Sequence, residues 1–188
     1  MPIHFARTQF AVAAIGILLS TSAFAQSTGQ KANEVGEKTG VNSAVGITPT
    51  SDTFVTNAAM SDLFEIKSSL LAEKKADAPT QKFAAQMVKD HEKTTSELKT
   101  LLQTKAPKFV TPVALDKSHQ EKLDKLSSLN GADFNKQYHD DQVSAHKDAV
   151  SMFERYAKDG DDPALKDWAG KTLPALQQHL DMAKSLDK

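Results

Sequence analysis

From residue 51 onward the chain repeats apolar residues every three or four positions and shows no strand-like alternation, a spacing that specifies helices. The stretch "SDTFVTNAAMSDLFEIKSSLLAEKKA" opens on the capping residues Ser51 and Asp52 and carries Val55, Ala59, Leu63, Ile66 and Leu70 on one expected inward face. After Asp77, Pro79 occupies a first-turn position where proline is tolerated, and a second helix is expected to run to about Lys105 with Phe83, Met87, Leu98 and Leu101 inward. Two prolines in "APKFVTPVALD" break the pattern, and a short amphipathic piece from Asp116 to Leu129 follows, with Leu123 and Leu126. "NGAD" ends that piece and caps a third long helix, about Ala132 to Lys158, which buries Phe134, Tyr138, Val150 and Phe153. Beyond the turn "DGDDP", a fourth helix runs from Pro163 to about Leu186 on Leu165, Ala169, Thr172, Leu176, His179, Ala183 and Leu186. Gly170 and Pro174 are expected to kink it.

Four long helices that each bury one stripe close most naturally as an all-α four-helix bundle over residues 51–188. The connection between the second and third helices is long and partly helical, whereas the other two are tight. A single long crossover of this kind belongs to ferritin-like folds; an up-down bundle with a decorated loop is the alternative.

Residues 1–25 read as a cleavable signal peptide: His4 and Arg7 make a polar, basic start, "FAVAAIGILL" is a short apolar run, and "AFA" supplies small residues at a cut site. The run is shorter than the roughly 20 residues a permanent span needs. No integral membrane segment is therefore expected in the mature chain, and an uncleaved anchor is the alternative. Residues 26–50, rich in Gly, Ser, Thr and Asn with aperiodic Val, read as a flexible linker. Losing Arg7 with the leader moves the formal charge from −1 to −2. Such near balance gives no basic footprint for nucleic acid and no polybasic patch for anionic lipid. Cysteine is absent, so the core must hold the fold without disulfides.

Each long helix also turns one titratable residue toward the core or its edge. Glu65 lies beside Ala58, Ser61, Asp62, Ser69 and Ala72; His91 shares a stripe with Ala84, Met87, Val88 and Leu98; His146 lies with Val143, Ala149, Val150 and Phe153; His179 falls within the apolar repeat of the fourth helix. Glu65 and His91 stand equally far in sequence from Ala78, so a hairpin puts them level, and His146 and His179 are symmetric about Asp162 and Pro163 to within about one turn. One carboxylate and three imidazoles meeting at mid-bundle can form the ligand shell of a transition metal such as Fe, Cu or Zn. The competing reading makes them neutral core residues that bond Ser69, Thr95, Tyr138 or Gln142. Met87 and Met182, on the faces of His91 and His179, offer thioethers suited to Cu(I), or else simply fill the core. Tyr156 and Trp168 read as packing or boundary residues, and His119 and His139 as exposed. Nucleotide-binding loops, nucleophile elbows and zinc-protease motifs are absent.

The segments "FVTNAAMSDLFEIKSSLLAEKKA", "QKFAAQMVKDHEKTTSEL" and "FNKQYHDDQVSAHKDAVSMFERYAKDGDDPALKDWAGKTLPALQQHL" carry Met-Val-x-Asp-His, Val-x-x-His and Leu-Pro-x-Leu-x-x-His-Leu in order. Over about Ser51 to Leu186 the chain resembles the bacterial exported domain family DUF4142. That resemblance implies a periplasmic, ferritin-like helical bundle, with outer-membrane labels common in the family and no established activity. Ferritin-like di-iron proteins carry Glu-x-x-His on two helices, but Val88 precedes His91 and Leu176 precedes His179. Asp90, turned about 100° from His91 around the helix, is a poor substitute. A carboxylate-bridged iron store or oxidase is therefore disfavoured against a mononuclear site. The expectation is a periplasmic, non-catalytic bundle whose Glu65, His91, His146 and His179 bind a transition metal in envelope stress or metal homeostasis. The alternative is a metal-free structural or interaction module with a protein partner in the cell envelope.

Overall fold

The computed structural model describes residues 32, 35, 36 and 41–186; the leader read into residues 1–25 lies outside them. Six helices account for the regular structure of the described residues: α1 Val41–Val45, α2 Ser51–Lys75, α3 Ala78–Lys105, α4 Lys117–Ser128, α5 Gly131–Asp159 and α6 Pro163–Ser185. Within the segment read as a linker, α1 forms a single short turn. It is tied to α5 by Ser43 bonding Ser151 at 2.5 Å and by Arg155 donating to the Ile47 carbonyl.

The start signals act through specific side chains. Asp77, Asp116 and Asp162 each accept backbone N–H bonds from the first turn of α3, α4 and α6, satisfying donors that have no partner within a helix. Asp162 takes two of them, from Ala164 and Leu165 at 3.0 and 3.1 Å. Asp162→Ala is expected to lower stability by about 1 kcal/mol in a urea titration. At α2 the cap is Thr50, one residue before the expected pair, because Ser51 is buried and bonds Tyr156 and Asp161 at the far end of α5. Gly131, at the junction of α4 and α5, has a φ of 57°, the left-handed region that glycine enters without steric cost. Pro174 sits inside α6, which continues past it to Ser185.

The four long helices pack as two hairpins, α2 with α3 and α5 with α6, joined side by side through α2 against α5 and α3 against α6. Ser51 at the start of α2 meets Tyr156 near the end of α5, and Ser69 late in α2 meets Tyr138 early in α5, so these two run antiparallel. The α3–α6 pair does the same: Asp90 meets His179, while Lys105 and Ala164 line the far end of the groove between them. Helix α4 lies on α2 and α5.

The apolar interior comes in two parts. One gathers Phe54, Leu98, Phe153, Tyr156, Leu165 and Trp168, with Phe54 stacked on Tyr156 at 3.9 Å between centroids. The other gathers Phe83, Met87, Leu126, Phe134, Tyr138 and Ala183. Met182 packs at its edge, so both expected thioethers belong to this half. On every long helix the residues between the halves are polar and buried: Asp62 and Glu65, His91, Gln142 and His146, and His179. This layer also shifts the face of α2. Leu63 and Ile66 are only partly buried and Leu70 is 40 % exposed, while Phe64, Glu65, Ser68 and Ser69 point inward, with Ser69 bonding the Tyr138 hydroxyl at 2.8 Å. Val55 and Ala59 are buried as expected, whereas the later part of the stripe, Leu63, Ile66 and Leu70, lies at the boundary.

Candidate metal centre

The three histidines meet. Each can offer one ring nitrogen to a group in which all three atoms lie within 4.8 Å of one another, and the ring centroids are 5.4 to 5.6 Å apart. All three are at most 5 % exposed. Their helical positions explain the convergence, since His91 and His179 come from the antiparallel α3–α6 pair and His146 from α5 at the same height.

Each ring uses one nitrogen on a defined partner and leaves the other without one. His91 Nδ1 lies 2.8 Å from Asp62 Oδ1, His146 Nδ1 donates to the Gln142 carbonyl at 2.9 Å, and His179 Nε2 lies 3.0 Å from Asp90 Oδ2. Left buried with no hydrogen-bond partner are His91 Nε2, His146 Nε2 and His179 Nδ1. A carboxylate or carbonyl behind one nitrogen fixes the tautomer and aims the lone pair of the other, the usual arrangement behind metal-binding imidazoles. Asp62 is itself held by the Thr94 and Thr95 hydroxyls at 2.9 and 3.0 Å, so the carboxylate orienting His91 is fixed in turn.

Glu65 stands beside this triad rather than within it. Its Oε1 lies 4.0 Å from His146 Nδ1, the nitrogen already turned to the Gln142 carbonyl. Neither Glu65 oxygen nor the Gln142 side-chain amide meets a partner at full hydrogen-bond geometry, although the Gln142 amide is near enough to Glu65 to lower its pKa. Such a concentration of unpartnered buried polar atoms is costly, at about 1–3 kcal/mol each. The three histidines and Glu65 thus occupy the common layer that their sequence positions implied, but only the histidines converge as potential ligands.

Asp62 and Asp90 are the carboxylates that meet His91 and His179, contacts that the sequence reading did not assign. Asp90 points away from His91, as helical geometry requires, and reaches the neighbouring helix instead. Of the side chains expected to bond the histidines, Ser69 takes Tyr138, Thr95 takes Asp62, and only Gln142 serves, through its backbone. His139 is not exposed: it is 6 % accessible, with Nε2 2.8 Å from the Thr80 hydroxyl. His119 is partly buried against Phe64 and lies 2.8 Å from the Asp116 carboxylate.

Electrostatics separate the three rings. Burial and the neighbouring His91 push His146 and His179 down to about 4. Burial also opposes charge on His91, but the hydrogen bond and field of Asp62, helped by Glu65 and Asp90, outweigh it and raise its pKa. Burial raises Glu65, against the lowering pull of His91. Two of the three imidazoles are thus neutral well below pH 7 and can act as ligands without losing a proton.

The same shifts fix the acid response of the metal-free protein. The ordinary value for His146 and His179 is 6.5 and the folded value about 4, so between these limits the unfolded chain binds protons that the folded chain refuses. Stability is expected to fall as pH drops from 6.5 toward 4. The raised pKa of His91 acts oppositely, contributing stability that is lost as pH rises through its folded value. Urea midpoints measured across this range should decline on the acid side, and a His146→Gln, His179→Gln variant should show a flatter decline; an unchanged slope would contradict the burial of neutral rings.

A groove of about 770 Å³ between α3 and α6 ends on this cluster, with Asp90, His91 and His179 in its lining. No described helix is long and apolar enough to cross a membrane. No curated protein and no solved structure matches the chain. A family model described as a domain of unknown function, DUF4142, matches residues 36–186, a span that includes all six helices and every residue of the histidine layer. The chain belongs to the DUF4142 family.

Proposed function

We propose that this protein is an exported periplasmic metal-binding bundle in which His91, His146 and His179 hold one transition-metal ion. The observation that carries this reading is the set of three unpartnered imidazole nitrogens, each backed by an oxygen acceptor on its other nitrogen. A ring kept only for packing would gain from pairing both nitrogens or from replacement by an apolar side chain. Three rings with the same unpartnered arrangement, in a layer that divides the apolar core, suit a ligand that satisfies them together. Nitrogen donors in this number suit Zn, Cu or Fe, and an ion held there supplies a Lewis-acid centre. Glu65 lies beside the ligand set, 4.0 Å from His146 Nδ1, and contributes negative charge to the layer when ionised.

The proposed architecture is a ferritin-like four-helix bundle. In support, α2 runs antiparallel to α5, and α3 to both α2 and α6, so α3 and α5 share a direction and need the long connection that contains α4. The sequence lacks both Glu-x-x-His pairs of a di-iron site, with Val88 before His91 and Leu176 before His179, and one ion fits the three converging donors better than two. Metal homeostasis or protection of the cell envelope under stress is the role this chemistry serves outside the cytoplasm.

Elemental analysis of mature protein, purified without a histidine tag from the periplasm, tests the reading. Near-stoichiometric metal is expected in the wild type, and its loss in His91→Gln, His179→Gln. Absence of metal from both would assign the layer to structure and favour the envelope interaction module.

A further inference from the structure

The groove between α3 and α6 has the features of a ligand channel. Its volume of about 770 Å³ falls in the range that small-molecule sites occupy. It extends along α3 from His91 to Lys105, about 21 Å at the helical rise. Leu101, Ala164, Trp168, Ala175 and Leu176 give it an apolar lining between those ends. Along the walls Lys93 pairs with Glu97 at 3.8 Å and Lys171 with Asp167 at 2.5 Å, so charge on the walls is largely balanced, with Lys105 at the outer end.

Beside Lys105 and the lining hydroxyls, two polar features stand out, one toward each end. His91 and His179 line the inner end, whereas His146 and Glu65, each 1 % exposed, lie behind them and outside the lining. Toward the other end is Trp168, itself 8 % exposed, whose indole N–H is buried without an acceptor. A tryptophan N–H can only donate, so it requires an acceptor that no protein group supplies. With three protein ligands converging, an ion keeps a coordination position for an exogenous donor, as catalytic metal sites do.

Resting on the three-histidine reading, we infer that the groove binds an elongated, uncharged-bodied amphiphile. Its oxygen-donor head ligates the metal, and its apolar body lies along α3 and α6 toward Trp168. The juxtaposition of an orphaned metal-type cluster and an apolar trough accounts for both features with one ligand, and Trp168 at the far end of the trough reports on it.

Alkyl hydroxamates of two lengths test this on the full mature protein loaded with Co(II), whose visible bands report ligation. Octanohydroxamate is expected to bind about tenfold or more tightly than acetohydroxamate, because added methylenes leave water for the groove. It should also alter the fluorescence of Trp168, the single tryptophan of the chain. Ala175→Phe, at an exposed position in the lining, should abolish the chain-length advantage while leaving Co(II) content unchanged. Equal affinities for the two lengths on a protein that does bind Co(II) would overturn the channel and leave the metal site standing. Failure to bind Co(II), with endogenous metal also absent, would overturn both.

Discussion

Glu65→Leu is expected to stabilise the metal-free protein, by about 1–3 kcal/mol, although it removes one of the most deeply buried side chains of the molecule. The carboxyl is 1 % exposed and neither oxygen meets a donor at full hydrogen-bond geometry, so the desolvation cost in the folded state is only partly offset by the His91 field and the neighbouring Gln142 amide. Burial has already raised its pKa, the response of a carboxyl for which ionisation is unfavourable. Leucine has similar volume and fills the space between the Phe54 and Tyr138 halves of the core without that cost. Urea denaturation of the chelated proteins measures the effect. A loss of stability of the same size would mean that Glu65 has a stabilising partner after all. The gain should come with weaker metal affinity, since the group removed sits beside the histidines; stability given up at a functional site is a common exchange.

Metal itself is expected to have the larger effect. An ion present at a thousand times its dissociation constant, bound only by the folded state, adds about 4 kcal/mol. For a chain of this size that corresponds to a melting temperature higher by about 10 °C. His91→Gln, His179→Gln should abolish the metal-dependent shift, leaving one curve with or without metal. Glutamine keeps a polar side chain in the layer, so the comparison isolates ligation from burial. A double variant that still melts higher with metal would place the ion elsewhere.

Most of the helical framework was legible from local chemistry. Asp77 and Asp162 ahead of prolines, the prolines after Ala106, and the Asn130-Gly131 break marked element ends because each acts on the backbone beside it. The inward stripes of α3, α5 and α6 were largely legible because their polar exceptions are few, though Leu101 and Val150 are only partly buried and Leu102 is the residue of α3 that goes inward there. On α2 the reasoning failed at Leu63, Ile66 and Leu70, because apolar periodicity cannot recognise a face made inward by Asp62, Glu65, Ser68 and Ser69. Asp62 and Ser69 gain by meeting Thr94, Thr95, His91 and Tyr138 on other helices, contacts that no single helical wheel contains.

The layer of Glu65, His91, His146 and His179 was legible because a titratable residue on an apolar stripe stands out, and equal distances from the turns set their heights. The separation of Glu65 from the three rings was not, since it depends on rotamers fixed by packing. Asp90 was dismissed by an argument confined to its own helix, and its partner His179 is on another. Asp62 was visible on the Glu65 face, one turn away, without anything to identify it as the acceptor for His91. His139 escaped because its partner, Thr80, lies in the opening turn of a different helix. The unpartnered indole of Trp168 has no sequence signature at all.

The central claim is that three imidazoles bind one ion. X-ray absorption on stoichiometrically loaded Zn(II) or Cu(II) protein tests it most directly, because multiple scattering from imidazole rings counts them. Three histidine ligands per ion in the wild type, with the ordered site lost in His91→Gln, His179→Gln, is the predicted result. A first shell of oxygen donors alone, unchanged in the double variant, would contradict it.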